Sequence, residues 1–472
     1  MSDTRARPNV VWLTLDSVRA DHTTMDGYRR DTTPGMARIA ALPEGESFRQ
    51  CIAAAKWSLG SVASMQTCTY PEYNLAGFRS DVLPESVDTV AEALSEAGYF
   101  TAGVSANGYF CAETGTDRGY ESFQRIHAGN FATAAGPVAS LRFLANIRRH
   151  SGGFTTTALK HRPDFLVNQL VKKTLRTAAD GDRPFFVTAH YHGAHIPYYP
   201  PVAYQDAFLE ELEAEGISRE EALDVAFRRT TDIYEQIAQS QSFTEREWTI
   251  VEAMYDSLLR HCDDIVSDVF EVAREIPNTI VVITADHGDL LGEYGLLAHK
   301  LVLHDALVRV PLVVWGLPEL TGRGDELVQH VDVMRTILEL AGAVRPSFQG
   351  IDLLSGSREF AVSQRGAGGE DGLEKIREHN PEFDDSWFHE SELHALRTDE
   401  WKYLESEDRV ELFRLPDEFV DVSADYPELV AEFDRKLEAW RADHVGADVQ
   451  AVKADFSEDM RKRLADLGYL AE

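Results

Sequence analysis

The chain has 472 residues, 79 of them acidic against 46 basic, with a formal net charge of -33 and 44% hydrophobic residues. That length suits one large α/β unit with a smaller one, and the apolar content is ample for a core. The acid excess argues against nucleic acid and anionic membranes as general partners, since both would repel it, and it fits a protein adapted to high salt. Cys51, Cys68, Cys111 and Cys262 stand at no metal-binding spacing, so reduced, partly buried thiols are expected. The residues before Pro8 hold no signal-peptide core and no apolar stretch reaches transmembrane length. A cytoplasmic protein is the expectation.

Asn9-Val-Val-Trp-Leu-Thr-Leu-Asp16 reads as a buried strand that ends in a carboxylate, with Ser17, Arg19 and Asp21 close behind. Residues 32–40 predict a capped helix with Pro34 near its first turn. A short strand is expected over 48–55, then a turn at 56–61 and a helix over 62–68. Residues 88–98 predict a helix closed by Gly98, and 100–105 another strand. This alternation predicts βαβ units with right-handed crossovers. Residues 127–183 are less regular and read as an insertion whose helices could help shape a substrate pocket. A strand over 183–190 leads into Tyr191-His-Gly-Ala-His-Ile-Pro-Tyr198, and long helical stretches follow over 210–241 and 245–275. The β-branched run Thr279-Ile-Val-Val-Ile-Thr-Ala285 then stops abruptly at Asp286-His-Gly-Asp289. Residues 309–315 predict a strand and 331–343 a helix, with a boundary near 345. The domains expected are thus 1–345 and 346–472. The second holds a Gly/Glu-rich loop at 366–372, short strands at 396–404 and 410–413, a helix at 427–444 and an acidic tail helix.

In open α/β sheets, chemistry sits beyond the carboxyl ends of the strands. Asp16 and Asp286 can therefore meet in one crevice, with His287 beside them. Such an oxygen-rich set with one nitrogen suits Ca²⁺, Mg²⁺ or Mn²⁺, with Zn²⁺ also possible. Taken alone, Asp286 reads equally well as a cap of the following turn. Ser58 lies at the start of a helix, where backbone N–H groups favour an anion, and a hydroxyl held there against a cation would be an activated nucleophile. Alone, Ser58 or Ser61 reads as an N-cap.

The order of these pieces resembles the sulfatase family within the alkaline phosphatase superfamily. The resemblance runs through Pro8 to Asp21, Thr33-Pro34, Trp57-Ser-Leu-Gly-Ser61, Gly98-Tyr-Phe-Thr-Ala102 and Asp117 to Phe123. It continues through Pro184-Phe-Phe, His195-Ile-Pro-Tyr198, Ala285 to Asp289, Lys300, Arg309-Val-Pro-Leu312, Leu338 to Gly342 and Lys402-Tyr403. It implies an alkaline phosphatase-like α/β fold, a large, mostly parallel or mixed sheet between helices, with a smaller C-terminal α+β subdomain. It also implies metal-dependent hydrolysis of small-molecule sulfate esters. Carried over by position, Asp16, Asp286 and His287 would hold one divalent metal, Ca²⁺ by family. Ser58 would be the nucleophile or its precursor, and His195 and Lys300 would contact the oxyanion or the leaving group. Otherwise His195 would be a turn histidine and Lys300 a solvated lysine, while His190 and His192 read as structural.

The chain departs from the family pattern at Gly60 and Val62, which stand where conversion to formylglycine calls for Pro or Ala and for Arg. Ser17 replaces a second aspartate, and His287 stands where many calcium-binding members have Asn. An unmodified Ser58 would suit a phosphate mono- or diester or phosphonate ester hydrolase of the same superfamily. A non-catalytic anion- or partner-binding protein is the rival from another class. A two-zinc phosphatase is disfavoured, because no second His/Asp set shows convincing spacing.

Overall fold

The computed structural model describes residues 7–127, 130, 134–367, 372–445, 449–454, 456–458 and 460–461. The apolar runs form strands, and those at the centre of the sheet are buried on both faces. Eight of them make the main sheet: β1 (Asn9–Leu15), β2 (Gly45–Ile52), β3 (Phe100–Ser105), β4 (Ser122–Arg125), β5 (Phe185–Tyr191), β6 (Thr279–Ala285), β7 (Arg309–Trp315) and β8 (Leu327–Gln329). Their order is β8-β2-β7-β6-β1-β5-β3-β4. β1 runs parallel to β5 and β6, and β3 runs parallel to β4 and β5, whereas β7 is antiparallel to β6 and β2. The sheet is therefore mixed, with a parallel half at the centre. Leu15 pairs with both Tyr191 and Ala285, so the residues that follow three neighbouring strands arrive at one edge.

Helices surround the sheet: α1 (Pro34–Ala40), α2 (Ser58–Thr67), α3 (Val90–Glu96), α4 (Gly136–Ala145), which packs on the next, α5 (Asp164–Ala179), α6 (Glu245–Ala273) and α7 (His330–Ala341). α6 begins in a capping box in which Thr244 and Glu247 satisfy each other's backbone N–H groups. α5 packs on β3, β5 and α6, so this part of the 127–183 segment is a covering layer of the sheet. No helix among the described residues is long and apolar enough to cross a membrane.

A second, four-stranded antiparallel sheet consists of β9 (Ala361–Arg365), β10 (Leu393–Arg397), β11 (Trp401–Glu405) and β12 (Val410–Arg414), with α8 (Pro427–His444) beside it. β9 docks on the chain that leads to Ser58: Gln364 N donates to Ala54 O at 2.8 Å and Ser363 Oγ to Ala53 O at 2.6 Å. One apolar core runs through both sheets.

Three local expectations change. The helix near Ser58 starts at Ser58 itself, because Gly60 and Ser61 are helical and not breakers. The 210–241 stretch is three helices, Leu209–Ala214, Arg219–Arg229 and Ile233–Ser240, divided by left-handed residues at Gly216 and Asp232. Residues 396–404 belong to two strands, β10 and β11, joined by a tight turn in which Thr398 N donates to Trp401 O at 2.8 Å. The acidic tail helix and most of the Gly/Glu-rich loop lie outside the described residues.

Candidate active site

Asp16, His190 and Asp286 come together at the carboxyl edge of β1, β5 and β6, and all three are buried. Asp286 Oδ1 accepts from Ser17 N at 3.2 Å and from His287 N at 2.9 Å. Its Oδ2 lies 3.4 Å from His190 Nε2 and 3.7 Å from His287 Nε2. Neither Asp286 Oδ2 nor His190 Nε2 makes a well-formed hydrogen bond, although both atoms are buried. Buried polar atoms normally have partners, and two such atoms facing each other are a donor set that could hold a cation. One oxygen of Asp16 completes the set, with the three donor atoms all within 4.8 Å of one another. The residues present thus fit a divalent ion.

Ser58 enters this cluster from the N-terminus of α2. Trp57 is extended and Ser58 is the first helical residue, so its Oγ projects from the helix end. Asn107, just past β3, donates through Nδ2 to Asp16 Oδ2 at 2.7 Å and to Ser58 Oγ at 3.1 Å. Its Oδ1 accepts from Tyr109 N at 2.7 Å, which fixes the amide's orientation. Ser58 Oγ also lies 3.3 Å from His287 Nε2. His287 Nδ1 donates to Gly288 O at 2.8 Å, so Nε2 is the nitrogen that faces Ser58.

The electrostatics follow from burial and neighbours. Burial alone would raise the Asp286 carboxyl, but His287 and His190 hold it well below the usual carboxylate range. Burial depresses His287, yet the carboxylates of Asp286, Asp16 and Asp289 raise it above an ordinary histidine. Burial pushes Asp289 up to about 8 against the opposing influence of His287 and Tyr198. His195 is lowered by burial, with Asp16 opposing.

His195 is set by its loop. Its Nδ1 donates to Ile196 O at 2.9 Å, which turns Nε2 into the proton-exchanging atom. Buried Arg162 grips the loop from below, donating to His195 O at 3.1 Å and Pro197 O at 2.9 Å. Gly193 makes the approach to Asp16 possible: its φ is +59°, and a Cβ there would lie 2.3 Å from Asp16 O. Lys300 is also buried and lines a cleft with Lys56, Trp57, Gly77, Arg365 and Gly366. Lys56 Nζ donates to His299 O at 3.1 Å, and Lys300 Nζ lies 5.6 Å from the centre of the Tyr234 ring. Three cationic side chains thus line one cleft that begins at Trp57, the residue before Ser58.

Of the residues singled out in the sequence, Asp16, Ser58, Asp286 and His287 form one cluster, while His195 and Lys300 stand around it. His190, read as structural, faces Asp286. A second His/Asp set, which spacing did not reveal, consists of His287, Asp289 and His299, with His299 Nδ1 donating to Asp289 Oδ1 at 2.8 Å. Asn107 escaped the sequence reading altogether, and its one signal is its place just beyond a strand that ends at the same edge.

Known proteins place the chain in a wider group. It is 23% identical over 462 residues to arylsulfatase K of Canis lupus familiaris, covering 91% of this chain and 82% of that protein. With the bovine and mouse arylsulfatase K proteins, the aligned part is 53% and 49% of their length. Among solved structures, the fold is similar to a phosphonate monoester hydrolase of Agrobacterium radiobacter, with a TM-score of 0.69, 17% identity, and 93% of this chain and 96% of that one covered. It is similar as well to a protein solved with its substrate D-glucosamine-2-N,6-O-disulfate, with a TM-score of 0.67, 18% identity, and 94% and 99% of the two chains covered. The family profile described as Sulfatase matches residues 8–343, from the strand before Asp16 through the helix after the main sheet, and the chain belongs to the sulfatase family.

Proposed function

We propose that this protein hydrolyses sulfate esters of small molecules, with Ser58 as nucleophile or nucleophile precursor. The observation that carries the reading is the Ser58 hydroxyl at a helix N-terminus, within hydrogen-bond reach of Asn107 and His287, in a buried cluster of carboxylates. Asp16, Asp286 and His190 would hold a divalent cation, with His287 Nε2 close enough to join them. When bound, such a cation supplies positive charge against the ester oxyanion and lowers the pKa of an adjacent hydroxyl. Two imidazoles near two carboxylates move the donor set from Ca²⁺ toward Mn²⁺ or Zn²⁺.

The chain's own groups supply the rest. Asn107 donates to Ser58 Oγ, so the Ser58 proton points away from Asn107, toward the Asp286 carboxylate and His287. Lys300 and Lys56 attract the anionic ester, and the N–H groups of α2 complement its equatorial oxygens. His195, lowered by burial and with Nε2 as its exchanging atom, takes up a proton from water at Nε2 and passes it to the leaving alkoxide.

A second reading rests on Gly60 and Val62. A Cβ at residue 60 would lie 2.7 Å from Ala55 Cβ, and Val62 is buried, so neither position offers room for the family's activation pattern. A serine that stays unmodified would favour phosphate or phosphonate esters. The test is the intact mass of the peptide spanning Ser58, together with turnover of aryl sulfate beside aryl phosphate and phosphonate esters. Sulfate as the preferred ester supports the proposal. Unmodified Ser58 with faster phosphate or phosphonate turnover assigns the second reading, and no turnover of any ester leaves a binding protein.

A further inference from the structure

The acid excess has one long gap. In a chain with 79 acidic residues, none falls between Glu121 and Asp164, whereas Arg125, Arg142, Arg148, Arg149, Lys160 and Arg162 do. α4 lies within this gap. It buries Ala139 and Phe143 and turns Val138, Leu141 and Leu144 outward, at 62%, 67% and 55% exposure. The next short helix, Ile147–His150, anchors through Ile147 and leaves Arg148 and Arg149 exposed. Phe154 follows at 86% exposure. Single exposed apolar residues are ordinary, but three along one helix face, with another large one close behind in the chain, mark a contact surface.

Beside this face runs an open groove of about 470 Å³ whose lining includes Arg142, Arg149, His150 and Lys172. Its acidic residues are already engaged: Asp268 pairs with Lys172 and accepts from Asn168, and Asp264 accepts from Tyr204 at 2.7 Å. Arg142 and Arg149 thus give the groove a cationic rim next to an apolar helix.

That pairing selects the occupant. A second copy docked across a two-fold axis would bring Arg142, Arg148 and Arg149 near their own counterparts, which repel. An anionic bilayer offers phosphates to the arginines and an apolar boundary to the leucines, as interfacial helices require. The net charge of -33 does not forbid the contact, because charges more than about 8 Å apart are screened at physiological salt. The acidic remainder instead keeps the other faces away from such a surface. We propose that α4 and its flanking arginines form a docking face for an anionic lipid surface. Val138, Leu141 and Leu144 enter the headgroup–acyl boundary, and Arg142, Arg148 and Arg149 meet lipid phosphates. The repulsion expected from the overall composition holds for the molecule as a whole and fails on this face.

Vesicle flotation of the full chain tests this, using phosphatidylcholine alone and phosphatidylcholine with about one third phosphatidylglycerol. The protein should float with the anionic vesicles only, and added salt should release it. Leu141→Asp, and separately Arg148→Glu with Arg149→Glu, should each reduce flotation by about tenfold or more. Because these side chains are exposed and none belongs to the Ser58 cluster, thermal midpoint and ester turnover in solution should not change. Absence of flotation with anionic vesicles would overturn the proposal, as would equal flotation of Leu141→Asp. A dimer that Leu141→Asp dissolves, without vesicle binding, would reassign the face to a second copy.

Discussion

His190 and Asn107 show what one-dimensional reading leaves out of a site. Asp16, Ser58, Asp286 and His287 are legible because each stands where an apolar run stops or a helix starts. His190 sits inside the run that becomes β5, and a histidine there looks like core. Only the register Thr14 with His190, between β5 and β1, brings it to Asp286, and strand order is not written in local composition. Asn107 depends in the same way on β3 lying next to β5. If His190 is a metal ligand, His190→Ala should leave a folded protein whose divalent-metal affinity falls at least about tenfold. Metal content after dialysis against graded chelator measures it. Retention equal to that of the unsubstituted protein would return His190 to a structural part.

At the scale of elements, the sequence yields the strands well and the breaks between helices poorly. β3 and β7 fall where their β-branched residues end, and α8 matches its expected span. The 210–241 stretch was read as continuous because its charges and apolar residues keep a helical period, and the left-handed Asp232 gives no compositional sign of a break. The loop after β5 is the element that couples structure to chemistry. Its Gly193 has a positive φ and touches the Asp16 backbone, while Ala194 N donates to Asp16 O at 2.9 Å. Gly193→Ala would add left-handed strain of about 1–2 kcal/mol and a backbone clash. The expected result is a lower thermal midpoint together with loss of both metal retention and turnover. Unchanged turnover would show that the loop does not hold Asp16 in place.

At the scale of the molecule, the segment that follows α2 is tied to the second sheet and to α8 by a small ionic network. Glu72 receives His394 Nε2 at 3.1 Å and Arg441 Nη2 at 2.8 Å, and Arg79 pairs with Glu392 at 2.6 Å. Burial would raise Glu72, but His394 and Arg441 hold it at about 2. Its folded value lies below its unfolded value, so its stabilisation is present above about pH 4.5 and is lost as pH falls toward 2. Glu72→Gln should cost about 2 kcal/mol at pH 7, after allowance for solvent screening, and the difference should shrink toward zero in acid. Denaturant unfolding at pH 7 and pH 3 checks the sign, and an equal cost at both values would contradict it. Junctions of this kind join residues hundreds of positions apart, which is why the second sheet was legible as strands but not as the support of the Ser58 loop. The proposed hydrolysis depends on Ser58 acting inside the crevice formed by Asp16, His190 and Asp286. Its most direct test is steady-state turnover of an aryl sulfate by the metal-loaded protein and by Ser58→Ala. Sulfate release should be measurable and should fall by about 10⁴-fold or more in the variant, with metal content retained. Sulfate release by Ser58→Ala within tenfold of the unsubstituted protein would contradict it.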